Sequence, residues 1–135
     1  MFDEVLAGSR PGEVVFEVDR TFAFLDAEPR VVGHALVVSK LHIDRVYDLP
    51  APDYEELWAA VRMLAPVLQA VTRTQRVVVL VAGFEVPHAH VHLMPGNTRQ
   101  DVFGREPLNM TADELASLAA TVRSEIGRIR SHHPG

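Results

Sequence analysis

Apolar positions open the chain in two short runs, Val14-Val15-Phe16-Glu17-Val18 and Thr21-Phe22-Ala23-Phe24-Leu25-Asp26, parted by the polar pair Asp19-Arg20. β-branched and aromatic residues on both sides of a two-residue polar break predict a hairpin. A third strand is expected over His34-Ala35-Leu36-Val37-Val38-Ser39, after a connection bracketed by Pro29 and Gly33. The period then changes. Leu57, Val61, Leu64, Leu68 and Val71 recur at spacings of four and three, the buried stripe of a long helix that Pro52 can open from its first turn. Pro66 lies inside that stripe and is expected to bend or break the helix. From Arg76 the strand pattern returns in Val77-Val78-Val79-Leu80-Val81, a run so continuously apolar that it predicts an interior strand. After Ala82-Gly83 comes a strand closed by a turn at Pro95-Gly96-Asn97. Thr111-Ala112-Asp113-Glu114 matches a capping box, and Leu115, Leu118, Ala119, Val122, Ile126 and Ile129 form the stripe of the helix behind it. Ahead of all this, Phe2 to Ala7 reads as a short helix ended by Gly8 and followed by turn residues.

The last of these strands carries chemistry. In Val86-Pro87-His88-Ala89-His90-Val91-His92-Leu93-Met94 a histidine stands at every second position, so an extended chain sends His88, His90 and His92 to one face and Ala89, Val91 and Leu93 to the other. Imidazole titrates near neutrality and serves as nucleophile, proton carrier or metal ligand. A metal reading is open but constrained, because His88 and His92 lie about 13 Å apart at the usual strand rise and one ion cannot take all three without help from elsewhere.

Composition narrows the field. The 135 residues, 47% hydrophobic and 23% charged, suit a single domain over residues 1–135, with 131–135 a frayed tail. A formal net charge of −5 without a Lys/Arg cluster argues against a nucleic-acid partner. Absence of cysteine excludes thiolate catalysis and disulfides. No apolar run approaches membrane-spanning length and Met1-Phe2-Asp3-Glu4 lacks the regions of a signal peptide, so no membrane partner and a cytoplasmic location are expected.

His88-Ala89-His90-Val91-His92-Leu93-Met94 fits the alternating histidine and hydrophobic signature of the histidine triad (HIT) superfamily. Upstream, Ala23-Phe24-Leu25-Asp26-Ala27-Glu28-Pro29 and Gly33-His34-Ala35-Leu36-Val37-Val38-Ser39-Lys40-Leu41-His42 resemble that superfamily's N-terminal half. The resemblance runs from about Phe2 to Pro95 and is greatest to the Hint-type branch of nucleotide hydrolases and transferases. It implies an α+β HIT-like fold with a five-stranded antiparallel sheet, a long helix and a C-terminal helix, paired as a homodimer. It implies hydrolysis or transfer of a purine nucleotide at its α-phosphorus through a covalent nucleotidyl-histidine, with His90 as nucleophile, His92 at the phosphate and leaving group, and His88 with His42 in support. Asp26 corresponds to an acid that accepts from the ribose hydroxyls, while Gly83, Phe84 and Glu85 match the segment lining the phosphate. Phe24 and Phe16 are candidates to wall the base. No cofactor and no metal are implied.

Two departures stand out: Phe84 where relatives often carry glutamine, and Val77 where they often carry asparagine. Both remove polar groups, which leaves phosphate recognition to backbone groups or to Asn97 and Arg99 of the following loop. They also keep open a nucleotide-binding module without turnover, beside a dinucleoside polyphosphate hydrolase as the alternative enzyme. Trp58 and Met63, off the helix stripe, are candidate dimer contacts.

Overall fold

The computed structural model describes residues 11–103 and 106–131. The expected N-terminal helix and all but the first residue of the expected tail lie outside that range. Five strands, β1 (Pro11–Glu17), β2 (Thr21–Asp26), β3 (Ala35–Ser39), β4 (Arg76–Leu80) and β5 (His90–Gly96), form one antiparallel sheet in the order β1-β2-β3-β5-β4. Among the described residues three α-helices accompany them, α1 (Ala51–Thr72), α2 (Arg99–Val102) and α3 (Ala112–Ser131), with one turn of 3-10 helix at Val46–Asp48. This is the α+β arrangement expected.

Strand parity divides the sheet into two faces. Ala23, Leu25, Ala35, Val37, Ala89, Val91 and Leu93 point to the helix side and are buried with Leu57, Val61, Leu64 and Leu68 of α1 and Leu115, Ala119, Val122 and Ile126 of α3. Both predicted helix stripes therefore pack on the same side. The other face carries Phe24, Leu36 and Val38 in a separate apolar cluster, and with them the histidines.

Of the two outcomes expected at Pro66, a bend or a break, the break does not occur: α1 runs unbroken for 22 residues. Proline removes one N–H and so frees the carbonyl four residues earlier; both Pro66 and Arg62 are exposed, which puts this stretch of the helix on its solvent side. The run Val77 to Val81 is not interior either. β4 forms the sheet edge, with Val79 and Val81 about half exposed, so continuous apolarity misled because one flank of this strand has no neighbour among the described residues. The turn expected at Pro95-Gly96-Asn97 begins later, since Pro95 still pairs with Val77 and Gly96 with Arg76. Thr98 then caps the short α2 in a capping box with Asp101, an element the apolar pattern is too short to show. The box at Thr111 and Glu114 forms as predicted, through bonds of 2.8 and 3.1 Å. Trp58 and Met63 are partly buried against the helix-side core.

Leu64 is fully buried between sheet and helices. Leu64→Ala should therefore lower the unfolding free energy by about 2 to 5 kcal/mol, read as a reduced urea midpoint at unchanged m-value.

Candidate active site

On the open face of the sheet lies a cavity of about 430 Å³. Its walls follow the strand order. Asp26 closes β2, His34 stands immediately before β3, His90, His92 and Met94 rise from β5, and Leu80 ends β4 opposite His92. Beyond Leu80 the chain supplies Gly83, Glu85 and Val86, while Val102, Phe103 and Pro107 cover a further side.

The row of three histidines is not one strand face. β5 begins at His90, and His88 lies in the preceding bend, where its Nε2–H donates to the Ser39 carbonyl at 2.5 Å. Ala89 is held alongside by bonds from its N–H to the Ile43 carbonyl and from the Ser39 N–H to its own carbonyl. His88 thus anchors the entry of β5 instead of lining the cavity. The exposed His42 packs its ring against it, with centroids 5.1 Å apart. Burial pushes the His88 pKa down, which keeps the ring neutral.

His90 and His92 do face the cavity, with ring centroids 5.0 Å apart in an edge arrangement. Nδ1 of His90 donates to the His88 carbonyl at 2.6 Å, and a carbonyl can only accept. The proton of a neutral His90 is therefore on Nδ1, leaving the lone pair on Nε2.

His34 is the residue to which sequence reasoning gave no role. The Arg30 backbone N–H donates to His34 Nδ1 at 3.1 Å, which makes that nitrogen an acceptor and puts the ring proton on Nε2. His34 Nε2 meets His92 Nδ1 at 3.0 Å, so His92 accepts there and carries its own proton on Nε2. One main-chain amide thereby sets the tautomers of two side chains. Burial is the main cause that lowers the His34 pKa to about 3 and the His92 pKa to about 4, and the charges of nearby histidine and Arg30 add to both. Both rings are neutral at pH 7. A signal for His34 did exist: it shares parity with Leu36 and Val38, the face opposite the helix-packed Ala35 and Val37. Gly33, with φ +89°, makes the turn into it, and a Cβ there would come within 2.8 Å of the Thr72 side chain.

Asp26 is buried, with Oδ1 accepting from the Glu28 N–H at 2.8 Å. Burial raises its pKa to about 6, against the pull of that N–H; the Glu28 charge adds to the rise and Arg30 opposes it. Gly83 and Glu85 line the cavity, Gly83 with φ +77°. Phe24 and Phe84 do not line it. Phe24 is fully buried beneath the floor with Leu36, Val38 and Val86, whereas Phe84 is 93% exposed. Phe16 packs towards the helix-side core and under the Arg130 guanidinium, away from the cavity. Val77 turns to the same core, so its substitution does not touch the site. The Asn97 side chain accepts from the Gln75 N–H, and neither Asn97 nor Arg99 reaches the cavity wall. Among the described residues no group of three His, Cys, Asp or Glu side chains is placed to hold a metal ion, and no helix is long and apolar enough to cross a membrane.

A profile of the HIT domain matches residues 7–99. An uncharacterized HIT-like protein of Methanocaldococcus jannaschii is 34% identical over 122 residues, covering 85% of this chain and 94% of that protein. The adenosine 5′-monophosphoramidase of Saccharomyces cerevisiae is 29% identical over 100 residues, 70% of this chain and 61% of the yeast protein. Among solved structures, a hypothetical histidine triad nucleotide-binding protein from Sulfolobus tokodaii superposes with a TM-score of 0.77 at 20% identity, over 92% of each chain, a likeness of fold. With this cavity and this sheet, the chain belongs to the HIT domain family.

The pKa shifts fix the sign of the acid response. His34 and His92 titrate lower in the folded protein than the ordinary 6.5, so their neutral forms favour folding above that pH, and this contribution is lost as pH falls towards 4 and 3. Asp26 works oppositely: its folded pKa of about 6 exceeds the ordinary 3.8, so ionisation costs stability from about pH 4 upward, in full above 6. Urea midpoints should fall between pH 6.5 and 4, less steeply in His92→Gln. Asp26→Asn should raise the midpoint at pH 8 and leave it unchanged at pH 3.

Proposed function

We propose that the protein is a nucleotide hydrolase or transferase of the Hint-type branch, cleaving a purine nucleoside phosphoramidate at its α-phosphorus through a nucleotidyl-His90 intermediate. The observation that carries this reading is the His88 carbonyl on His90 Nδ1, which leaves the Nε2 lone pair as the only nucleophilic position on the ring. That lone pair forms the N–P bond. The P–N bond to the leaving amine breaks with its electron pair remaining on the amine nitrogen, which takes up a proton from solvent. The positive charge that develops on the His90 ring is stabilised by the His88 carbonyl. Water then attacks the same phosphorus, loses its proton, and returns the electron pair to His90.

The neighbours have roles consistent with their hydrogen bonds. His92, locked as an Nε2–H donor, binds a phosphoryl oxygen without having to carry charge. Asp26, once ionised, offers acceptor oxygens to the ribose hydroxyls, and the backbone around Gly83 lies open to the phosphate. His88 and His42 hold the entry of β5 in place. Support also comes from the yeast relative, whose name records activity on an adenosine phosphoramidate. The protein is further proposed to act as a cytoplasmic homodimer with no nucleic-acid or membrane partner, Trp58 and Met63 of α1 meeting the second copy.

With adenosine 5′-phosphoramidate as substrate, AMP release is expected. His90→Ala should reduce it by about 1,000-fold or more with folding intact, while His88→Ala should be milder. Equal and complete loss in both would mean a structural role for the pair. Turnover should persist in a chelator, since the nucleophile is an imidazole and not a metal-bound water. Light scattering should give a mass near twice 15.0 kDa, and Trp58→Glu should shift it towards one copy.

A further inference from the structure

The loop between β2 and β3 is pinned at each residue from Glu28 to Val31. The Glu28 N–H donates to Asp26 Oδ1 at 2.8 Å, and the Pro29 carbonyl accepts from the Leu108 N–H at 2.7 Å. The Arg30 N–H donates to His34 Nδ1 at 3.1 Å, and the Val31 carbonyl accepts from the His34 N–H at 3.1 Å. Pro29 and Val31 are buried, whereas Glu28 and Arg30 are exposed and line the cavity. A carboxylate and a guanidinium two residues apart therefore project from a backbone that is already fixed, so a ligand meets them at little cost in loop ordering.

Their place in the cavity decides which part of a nucleotide they face. From His92 the line runs 3.0 Å to His34 and 3.9 Å from His34 to the Asp26 carboxylate, and Glu28 and Arg30 adjoin Asp26 and His34 through their amides. With the phosphate at His90 and His92 and the ribose at Asp26, as proposed above, the base lies beyond Asp26, against this loop. The bond from Leu108 brings Pro107 beside the loop, and Val102, next to Phe103, clusters with Val31. Pro107 and Phe103 both line the cavity and offer apolar surface to the face of a base.

The edge of the base distinguishes one purine from the other. Guanine presents two donors, N1–H and the N2 amine, beside two acceptors, O6 and N7. A carboxylate only accepts and a guanidinium only donates, so Glu28 suits the first pair and Arg30 the second. Adenine carries an amine where guanine has O6 and a lone pair at N1, which sets donor against donor at Arg30 and acceptor against acceptor at Glu28. We infer that Glu28 and Arg30 are specificity-determining residues for the base and that the preferred substrate is a guanine nucleotide. The inference rests on the nucleotidyl-His90 reading, which fixes the direction in which the nucleotide lies, and it leaves the chemistry at phosphorus unchanged.

The test compares guanosine, inosine and adenosine 5′-phosphoramidates, which share a leaving group and differ only in the base. Guanosine should exceed adenosine in kcat/KM by about ten-fold or more, nearly all of it in KM because the base is remote from the phosphorus, and inosine, which lacks the N2 amine, should fall between them. GMP should inhibit more tightly than AMP in the same ratio. Glu28→Gln should bring guanosine down towards inosine, and Arg30→Gln should bring both towards adenosine. Arg30→Lys, a point charge without the planar fork, should recover little of that loss. All three substitutions keep the amides that hold the loop. Glu55→Gln, on the exposed surface of α1, should leave the guanosine to adenosine ratio as it is. Equal efficiency with guanosine and adenosine, a preference for adenosine, or a guanosine preference that survives substitution of both Glu28 and Arg30 overturns this inference and leaves the nucleotidyl-His90 reading standing. Failure to turn over any of the three, with no adduct trapped on His90, overturns both.

Discussion

Everything at the site hangs on the parity of β5. A strand has two faces, and this one, paired with β3 and β4, commits Val91 and Leu93 to the helix-packed core and His90 and His92 to the cavity. A one-residue slip would bury two imidazoles against Leu64 and Leu68 and send the core residues into solvent. The hydrophobic energy of the core is therefore what aims the chemical groups. The pairings Leu36 with His92 and Val38 with His90 place both histidines over β3, whose own cavity-side residues are apolar. The floor beneath them is apolar, and burial against it disfavours the charged state of His92.

Neutrality makes the site directional. A charged imidazole donates from both nitrogens; a neutral one has a donor side and an acceptor side, and a chain of neutral rings has a sense. Two such arrangements lie side by side. From Arg30 through His34 to His92 the proton donors all point into the cavity, whereas His90 gives its proton away from it, to the main chain. The result is an electron-pair donor next to a hydrogen-bond donor, which is what a phosphoryl centre and its oxygens require of their surroundings. Asp26 is the dissenting member. It is kept in a place that disfavours its ionised form, a cost that the Glu28 N–H offsets only in part.

Much of this was legible beforehand because it follows from local pattern. The alternation around His90, the four-and-three spacing from Leu57 to Leu68 and the capping box at Thr111 each encode their element within a few residues. What escaped depended on neighbours distant in sequence. Whether Val77 to Leu80 forms an interior or an edge strand is decided by what pairs beyond it, which no property of the run itself records. Whether Pro66 bends or breaks its helix depends on the surroundings of a carbonyl one turn earlier, which the stripe does not record. His88 looked equivalent to its two partners by spacing, yet a bend before β5 turns it to the Ser39 carbonyl. His34 went without a role because its significance lies in a ring 58 positions away.

The origin of the His34 to His92 chain is a peptide N–H, and this sets what inheritance can alter. Side chains change with a codon; a main-chain amide does not, proline being the one amino acid that lacks it. Position 30 can therefore drift in charge, size and polarity, reshaping that end of the cavity, while the tautomers of His34 and His92 stay the same. Cavity shape and imidazole tautomer are encoded in different parts of one residue, so the first is free to change without disturbing the second.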